Sequence, residues 1–101
     1  MNSAHHQQPL RWGILGCGRV ARSVIAPGIG RSHNGTLHAV ASRELEKAQE
    51  FAATLEAERA YGSYEELLAD PEVQAVYIAL PNALHMPWTI KSAEQGKHVL
   101  C

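Results

Sequence analysis

Two groups of residues in this 101-residue chain could do chemistry on a phosphorylated ligand. The first is Gly16-Cys17-Gly18-Arg19-Val20-Ala21, which follows the apolar run Leu10 to Leu15. Its spacing, Gly16-x-Gly18-x-x-Ala21, is that of a pyrophosphate-binding turn between a strand and a helix. Gly16 lets the chain turn sharply off the strand. Gly18 has no side chain, so a pyrophosphate can approach the backbone. Ala21 lets the helix pack closely on the strand. The N–H groups of Arg19 and Val20 then face the phosphates at the positive end of that helix. The second group is Val40-Ala41-Ser42-Arg43. In NAD-preferring sites an acidic residue here accepts hydrogen bonds from the adenosine ribose and repels a 2′-phosphate. Ser42 and Arg43 instead offer a hydroxyl and a guanidinium, which suit a phosphate dianion. Lys47 adds a further positive charge, and Glu44 is the group that suits an unphosphorylated ribose. NADP is therefore the expected cofactor, with NAD as the alternative.

Such residues need a scaffold that brings the ends of distant strands together. Leu10 to Gly16 reads as a first strand, followed by a helix from Gly18 to Ala26 that Pro27, Gly28 and Gly30 weaken. Ser32 to Gly35 is a loop. Thr36 to Ala41 is a second strand, with Ser42 placed to cap the next helix. That helix runs from Arg43 to Glu56, with Leu45, Ala48, Phe51, Ala52 and Leu55 on one face. Arg59 to Tyr61 is a short third strand. Ser63-Tyr64-Glu65-Glu66 reads as a capping box for a helix that Asp70-Pro71 stops. The nearly continuous apolar run Val73 to Leu80 fits a strand covered on both faces. A helix from Met86 to Gln95 follows, with Pro87 in its first turn and Gly96 as C-terminal cap. His98 to Cys101 begins a fifth strand. The alternation of strand and helix predicts an α/β fold of the Rossmann type. Its doubly wound parallel sheet has strand order 3-2-1-4-5, which puts Gly16 to Ala21 beside the topological switch point.

Composition excludes other classes. Residues are 46% hydrophobic and 19% charged, with net charge −1, as in an ordinary globular domain. No basic face supports nucleic-acid binding, and no apolar run approaches the roughly 20 residues that span a bilayer. Met1 to Pro9 lacks the apolar region of a secretory signal and reads as a disordered tail on a cytoplasmic protein. Cys17 and Cys101 end strands about 10 Å apart, too far for a disulfide. Cys17 reads as a small filler of the turn. The histidines show no zinc-ligand spacing.

Pro81-Asn82-Ala83-Leu84-His85, Gly96-Lys97-His98-Val99-Leu100-Cys101 and Tyr64-Glu65-Glu66-Leu67-Leu68 carry a resemblance over residues 10–101. With the glycine turn, they resemble the N-terminal domain of the glucose–fructose oxidoreductase / inositol dehydrogenase / MocA family. Ala41-Ser42-Arg43 looks most like its NADP-using sugar and dihydrodiol dehydrogenases. The resemblance implies that Leu80, Pro81 and Asn82 line the cofactor groove, with His85 close by. It implies a parent oxidoreductase that moves hydride to or from a sugar, cyclitol or related hydroxyl-bearing carbon. In relatives the fifth strand runs into Glu-Lys-Pro, whose lysine acts at the reacting centre. A second domain there forms the substrate pocket and often the oligomer interface. The chain stops at Cys101, so it reads as a truncated cofactor domain with no catalytic residue of its own. A non-catalytic dinucleotide-sensing module is the alternative reading.

Overall fold

The computed structural model describes residues 10–18 and 35–100. The expected tail Met1 to Pro9, the helix expected after the glycine turn with Arg19, Val20 and Ala21, most of the loop expected after it, and Cys101 lie outside the described residues.

A parallel sheet organises the chain, with strand order β3-β2-β1-β4-β5, as the alternation predicts. The strands are β1 (Leu10–Leu15), β2 (Gly35–Ala41), β3 (Arg59–Tyr61), β4 (Ala75–Ile78) and β5 (His98–Leu100). Between them run α1 (Leu45–Leu55), α2 (Tyr64–Leu68) and α3 (Asn82–Glu94). β1 lies at the centre of the order because its residues are small or aliphatic where both faces must be covered. Alternate side chains feed two separate cores. Leu15, Ala39, Ala41, Val76 and Ile78 pack with Tyr64, Leu67 and Leu68 of α2 and with Trp88 of α3. Ile14, Leu37 and Val40 pack on the opposite face with Phe51 and Ala52 of α1. Full burial of a side chain such as Phe51 (0% exposed) contributes about 1.5–3 kcal/mol.

Register between β1 and β2 shifts by one residue. Trp12 pairs with Leu37 and Gly13 with Ala39, so His38 has no Cα partner on β1. An irregularity of this kind re-aims a side chain, and His38 is turned into a buried polar cluster described below.

Several local expectations need correction. The helix after β2 starts at Leu45, not Arg43, and its N-cap is Glu44, whose side chain makes no capping bond. Ser42 is therefore not the cap. Its Oγ accepts the backbone N–H of Glu44 at 3.3 Å, a local turn that competes with helix at this position. Leu45 stands 48% exposed rather than on the buried face. α3 begins four residues early, with Pro81 as its N-cap, so Pro87 lies inside the helix and not in the first turn. Proline there removes one backbone hydrogen bond, to the carbonyl of Ala83. β4 is shorter than the apolar run that marks it.

The α2 cap is as expected in part. Ser63 Oγ accepts the N–H of Glu66 at 3.2 Å, but the Glu66 carboxylate takes its bond from the Ser63 hydroxyl at 3.1 Å. The end of α3 is as read. Gly96 adopts φ 78°, and the N–H groups of Gly96 and Lys97 reach the carbonyls of Ala93 and Ser92, a Schellman closure.

Candidate functional site

Three backbone hydrogen bonds extend the ladders past the carboxyl ends of the strands. Gly16 donates to Ala41 (2.9 Å), Ala79 to Leu15 (2.9 Å) and Ser42 to Tyr61 (3.1 Å). They bring the segments that leave β1, β2, β3 and β4 to one edge of the sheet. Gly16-Cys17-Gly18, Ser42-Arg43, Gly62-Ser63 and Leu80-Pro81-Asn82 all lie there, next to the point where the strand order reverses. A crevice at that place is the general ligand position of open parallel sheets.

Gly16 has φ +103°, and a Cβ on it would stand 2.5 Å from the Ala79 carbonyl oxygen. Only glycine can make this turn between β1 and β4. Gly18 is exposed, and a Cβ there would meet no described atom within 4 Å. Among the described residues nothing fills the space above Gly18, where a ligand could reach the backbone. Cys17 between them is half-buried, its thiol 3.6 Å from the Ala41 carbonyl to which it donates. Arg19 and Val20 lie outside the described residues.

At the end of β2, Ser42 is half-buried and Arg43 exposed. Ser42 Oγ accepts from Glu44, so the hydroxyl proton is left to donate outward. Lys47 reaches back one turn to Glu44, Nζ to Oε1 3.2 Å. Arg43 also forms the rim of a depression of about 410 Å³ that Ser63, Tyr64, Glu65, Leu84 and Trp88 line. The Tyr64 and Trp88 rings meet edge to face, with centroids 5.0 Å apart, a favoured aromatic geometry. Lys91 sits 4.5 Å over the Trp88 ring. Burial pushes the Tyr64 hydroxyl above its ordinary pKa, while the Arg43 charge pulls it down. Spacing alone did not mark this aromatic wall, since Tyr64 and Trp88 belong to different helices.

The Pro81 segment is placed on the same edge. Pro81 and Asn82 are exposed at the start of α3 and Leu80 is half-buried. His85, also half-buried, donates from Nε2 to the Leu80 carbonyl at 2.6 Å. That bond fixes the turn from β4 into α3, and the Leu84 N–H closes it on the Pro81 carbonyl at 2.8 Å. His85 thus braces the loop, and Pro81 and Asn82 face outward.

A second polar concentration lies around the amino ends of β3, β4 and β5. The His38 ring nitrogens lie 2.8 Å from Glu58 Oε2 and 3.2 Å from Asp70 Oδ2. Tyr61 donates to Asp70 Oδ2 at 2.7 Å, and the Glu72 N–H to Oδ1 at 2.8 Å. Lys97 Nζ donates to the carbonyls of Asp70 and Val73, each at 2.7 Å. Burial alone would raise the Asp70 pKa, but the bonds from Tyr61, Glu72 and His38 outweigh it and hold the carboxyl below its ordinary value. Burial also lowers the Lys97 pKa, against the nearby Asp70 charge. Lys97 thus braces the end of the sheet away from the crevice. Among the described residues no group of three or more His, Cys, Asp or Glu is arranged to hold a metal ion, and no helix is long and apolar enough to cross a membrane.

Comparison with known proteins agrees with this architecture. A family model described as an oxidoreductase family with an NAD-binding Rossmann fold matches residues 10–101. An oxidoreductase of Rhizobium meliloti is 47% identical over 92 residues, covering 91% of this chain and 28% of that protein. D-xylose 1-dehydrogenase (NADP(+)) 2 of Haloferax volcanii is 42% identical, again over 91% of this chain and 28% of its own. A 3-ketoreductase from Actinomadura kijaniata, solved with TDP-benzene and NADP, superposes with TM-score 0.88 at 33% identity. It covers 92% of this chain and 29% of that one. The chain spans a little over a quarter of the length of the relatives it matches. The glycine turn at the switch point, the strand order around it and the family match thus agree, and the chain belongs to the Gfo/Idh/MocA oxidoreductase family, as its NAD-binding Rossmann domain.

Proposed function

We propose that this chain is the cofactor domain of an NADP-preferring oxidoreductase that moves hydride to or from a sugar, cyclitol or related hydroxyl-bearing carbon. The bound nicotinamide supplies the hydride; the residues of this chain hold and orient the dinucleotide. The open backbone at Gly18 fits a pyrophosphate, with Gly16 and Cys17 shaping the turn; the N–H groups of Arg19 and Val20 are the further phosphate contacts expected from the sequence. Leu80, Pro81 and Asn82, braced by His85, form the opposite bank. The aromatic depression beside Arg43 has the size and apolar walls that suit the adenosine end.

One observation carries the NADP preference. The residues that leave β2 toward this edge are a half-buried serine with a hydroxyl proton to donate and an exposed arginine, with no carboxylate at the first position. NADP as the bound dinucleotide of the Actinomadura ketoreductase and in the name of the Haloferax dehydrogenase supports the same reading.

Fluorescence titration of the intact protein with NADPH and NADH tests it. Wild type should bind NADPH more tightly. Arg43→Ala should cost NADPH binding about 1.5–3 kcal/mol, the worth of a lost charged hydrogen bond, and leave NADH nearly unchanged. Equal affinity, or tighter NADH binding, would overturn the preference.

A further inference from the structure

Arg43 sits on a short arch, Ser42 to Leu45, whose two feet rest on the end of β3 and the residue after it. At the first foot the Ser42 N–H donates to the Tyr61 carbonyl at 3.1 Å. At the second foot Leu45 lies against Gly62. A Cβ on Gly62 would stand 3.1 Å from the Leu45 Cβ, 3.5 Å from its Cα and 3.6 Å from its backbone nitrogen. Between the feet, Ser42 Oγ holds the Glu44 N–H at 3.3 Å. Arg43 and Gly62 both line the depression that Tyr64 and Trp88 wall. We propose that Gly62 is a positioning residue: its missing side chain seats the arch and so sets where Arg43 stands at the rim. The proposal rests on the reading that Arg43 binds the cofactor phosphate.

A methyl at position 62 cannot enter without moving a neighbour. Two carbons 3.1 Å apart are inside their optimal separation of about 3.5–4.0 Å. The Leu45 atoms that face the methyl are Cβ, Cα and the backbone nitrogen, which no change of side-chain rotamer moves aside. Leu45 is also the first residue of α1, and Ala48 and Phe51 hold that helix to the sheet, each 0% exposed. The displacement therefore passes into the span between the two feet, where Arg43 is exposed and yields most easily. A guanidinium on a phosphate depends on the alignment of its N–H donors. A shift of the arch weakens that contact and leaves the charge in place, so the loss at position 62 is a fraction of the loss when Arg43 itself is removed.

The experiment titrates NADPH into the intact protein and its Gly62→Ala, Arg43→Ala and doubly substituted variants, with a thermal melt of each. Gly62→Ala should weaken NADPH about three- to tenfold, less than Arg43→Ala does, and should add little in the Arg43→Ala background. Combining Leu45→Gly with Gly62→Ala removes the opposing Cβ and should restore most of the lost affinity. Glycine within a helix lowers stability, so a gain in stability cannot account for that rescue. If Gly62→Ala alone folds too poorly to titrate, the combined variant decides: binding close to wild type supports the seat, and a loss like that of Arg43→Ala overturns it. Gly62→Ala binding as tightly as wild type, an equal loss with and without Arg43, or no rescue by Leu45→Gly would each overturn the positioning role. Arg43→Ala separates the two readings. If it leaves NADPH affinity unchanged, the phosphate contact fails and the positioning role with it. If it weakens NADPH while Gly62→Ala does not, the positioning role alone fails.

Discussion

The two polar regions of this domain are opposites. At the amino ends of the strands, His38 (2% exposed) and Asp70 (6%) are buried, and Asp70 accepts from three donors. Its partners come from β2, β3 and the segment before β4, and Lys97 adds the loop before β5. At the carboxyl ends, Gly18, Arg43, Pro81 and Asn82 are exposed, and the precise geometry resides in the backbone. A buried polar cluster with its bonds made is a brace, because any unpaired member would cost the full desolvation of that group. An edge that exposes donors and open backbone is built for something that arrives from outside. The domain thus separates the residues that hold the sheet together from those left open at the crevice, which we propose face the cofactor, and substitutions at the two ends should behave differently.

The largest effect on stability is expected at the brace. Asp70→Ala removes the acceptor of Tyr61, His38 and the Glu72 N–H, and should cost about 1–3 kcal/mol for each buried donor left unpaired. The cofactor ratio of the protein that remains folded should not move. A denaturant melt and paired NADPH and NADH titrations check this; a changed ratio would blur the division between the two ends. The brace also carries an acid sensitivity. The Asp70 carboxyl is held below its ordinary value in the fold, so its contribution is present above about pH 4, the unfolded-state carboxyl pKa. It is lost as pH falls below that, through the lower folded value. Asp70→Asn should flatten this acid limb of the stability profile, and an unaltered limb would deny Asp70 the role.

Gly16→Ala comes next and strikes both ends of the comparison at once. The new Cβ meets the Ala79 carbonyl at 2.5 Å and demands a positive φ. Backbone strain of this kind costs about 1–3 kcal/mol, and relief by moving β1 from β4 would distort the crevice. Thermal stability should drop and dinucleotide affinity should fall with it.

How far the sequence announces this arrangement depends on the range of the interactions. Strand order and the glycine turn are legible because they rest on local signals: apolar runs of strand length, helical periodicity, and small residues at fixed offsets. The Ser63 cap and the Gly96 closure are legible for the same reason. The starts of α1 and α3 are not. Ser42 has the chemistry of a cap, but its hydroxyl holds the Glu44 N–H in a turn two residues too early. Pro87 looks like a first-turn residue, yet the contacts of α3 on the sheet and the His85 bond to Leu80 start the helix at Asn82. The brace is the least legible. Asp70 lies 32 residues from His38 and 27 from Lys97, and in sequence it is only the residue before a proline. The misregister that turns His38 inward belongs to strand pairing, not to any motif. Tyr64 and Trp88 meet for the same long-range reason.

Gly18→Ala gives the smallest expected effect on the fold and separates stability from binding. Unlike Gly16, Gly18 has no backbone angle in the left-handed region, and its added methyl would meet no described atom within 4 Å. A substitution into open space changes stability by no more than about 0.5 kcal/mol, so the melt of Gly18→Ala should overlay that of the wild type. Its dinucleotide affinity should nevertheless fall by about tenfold or more, the effect of about 1.4 kcal/mol in binding. On the proposed reading the same methyl stands where the pyrophosphate approaches the chain and would hold the phosphate oxygens off the backbone. Gly16→Ala loses binding together with stability, whereas Gly18→Ala should lose binding alone. If Gly18→Ala binds both dinucleotides as well as the wild type does, the pyrophosphate does not cross the chain there, and the open space at Gly18 is only surface.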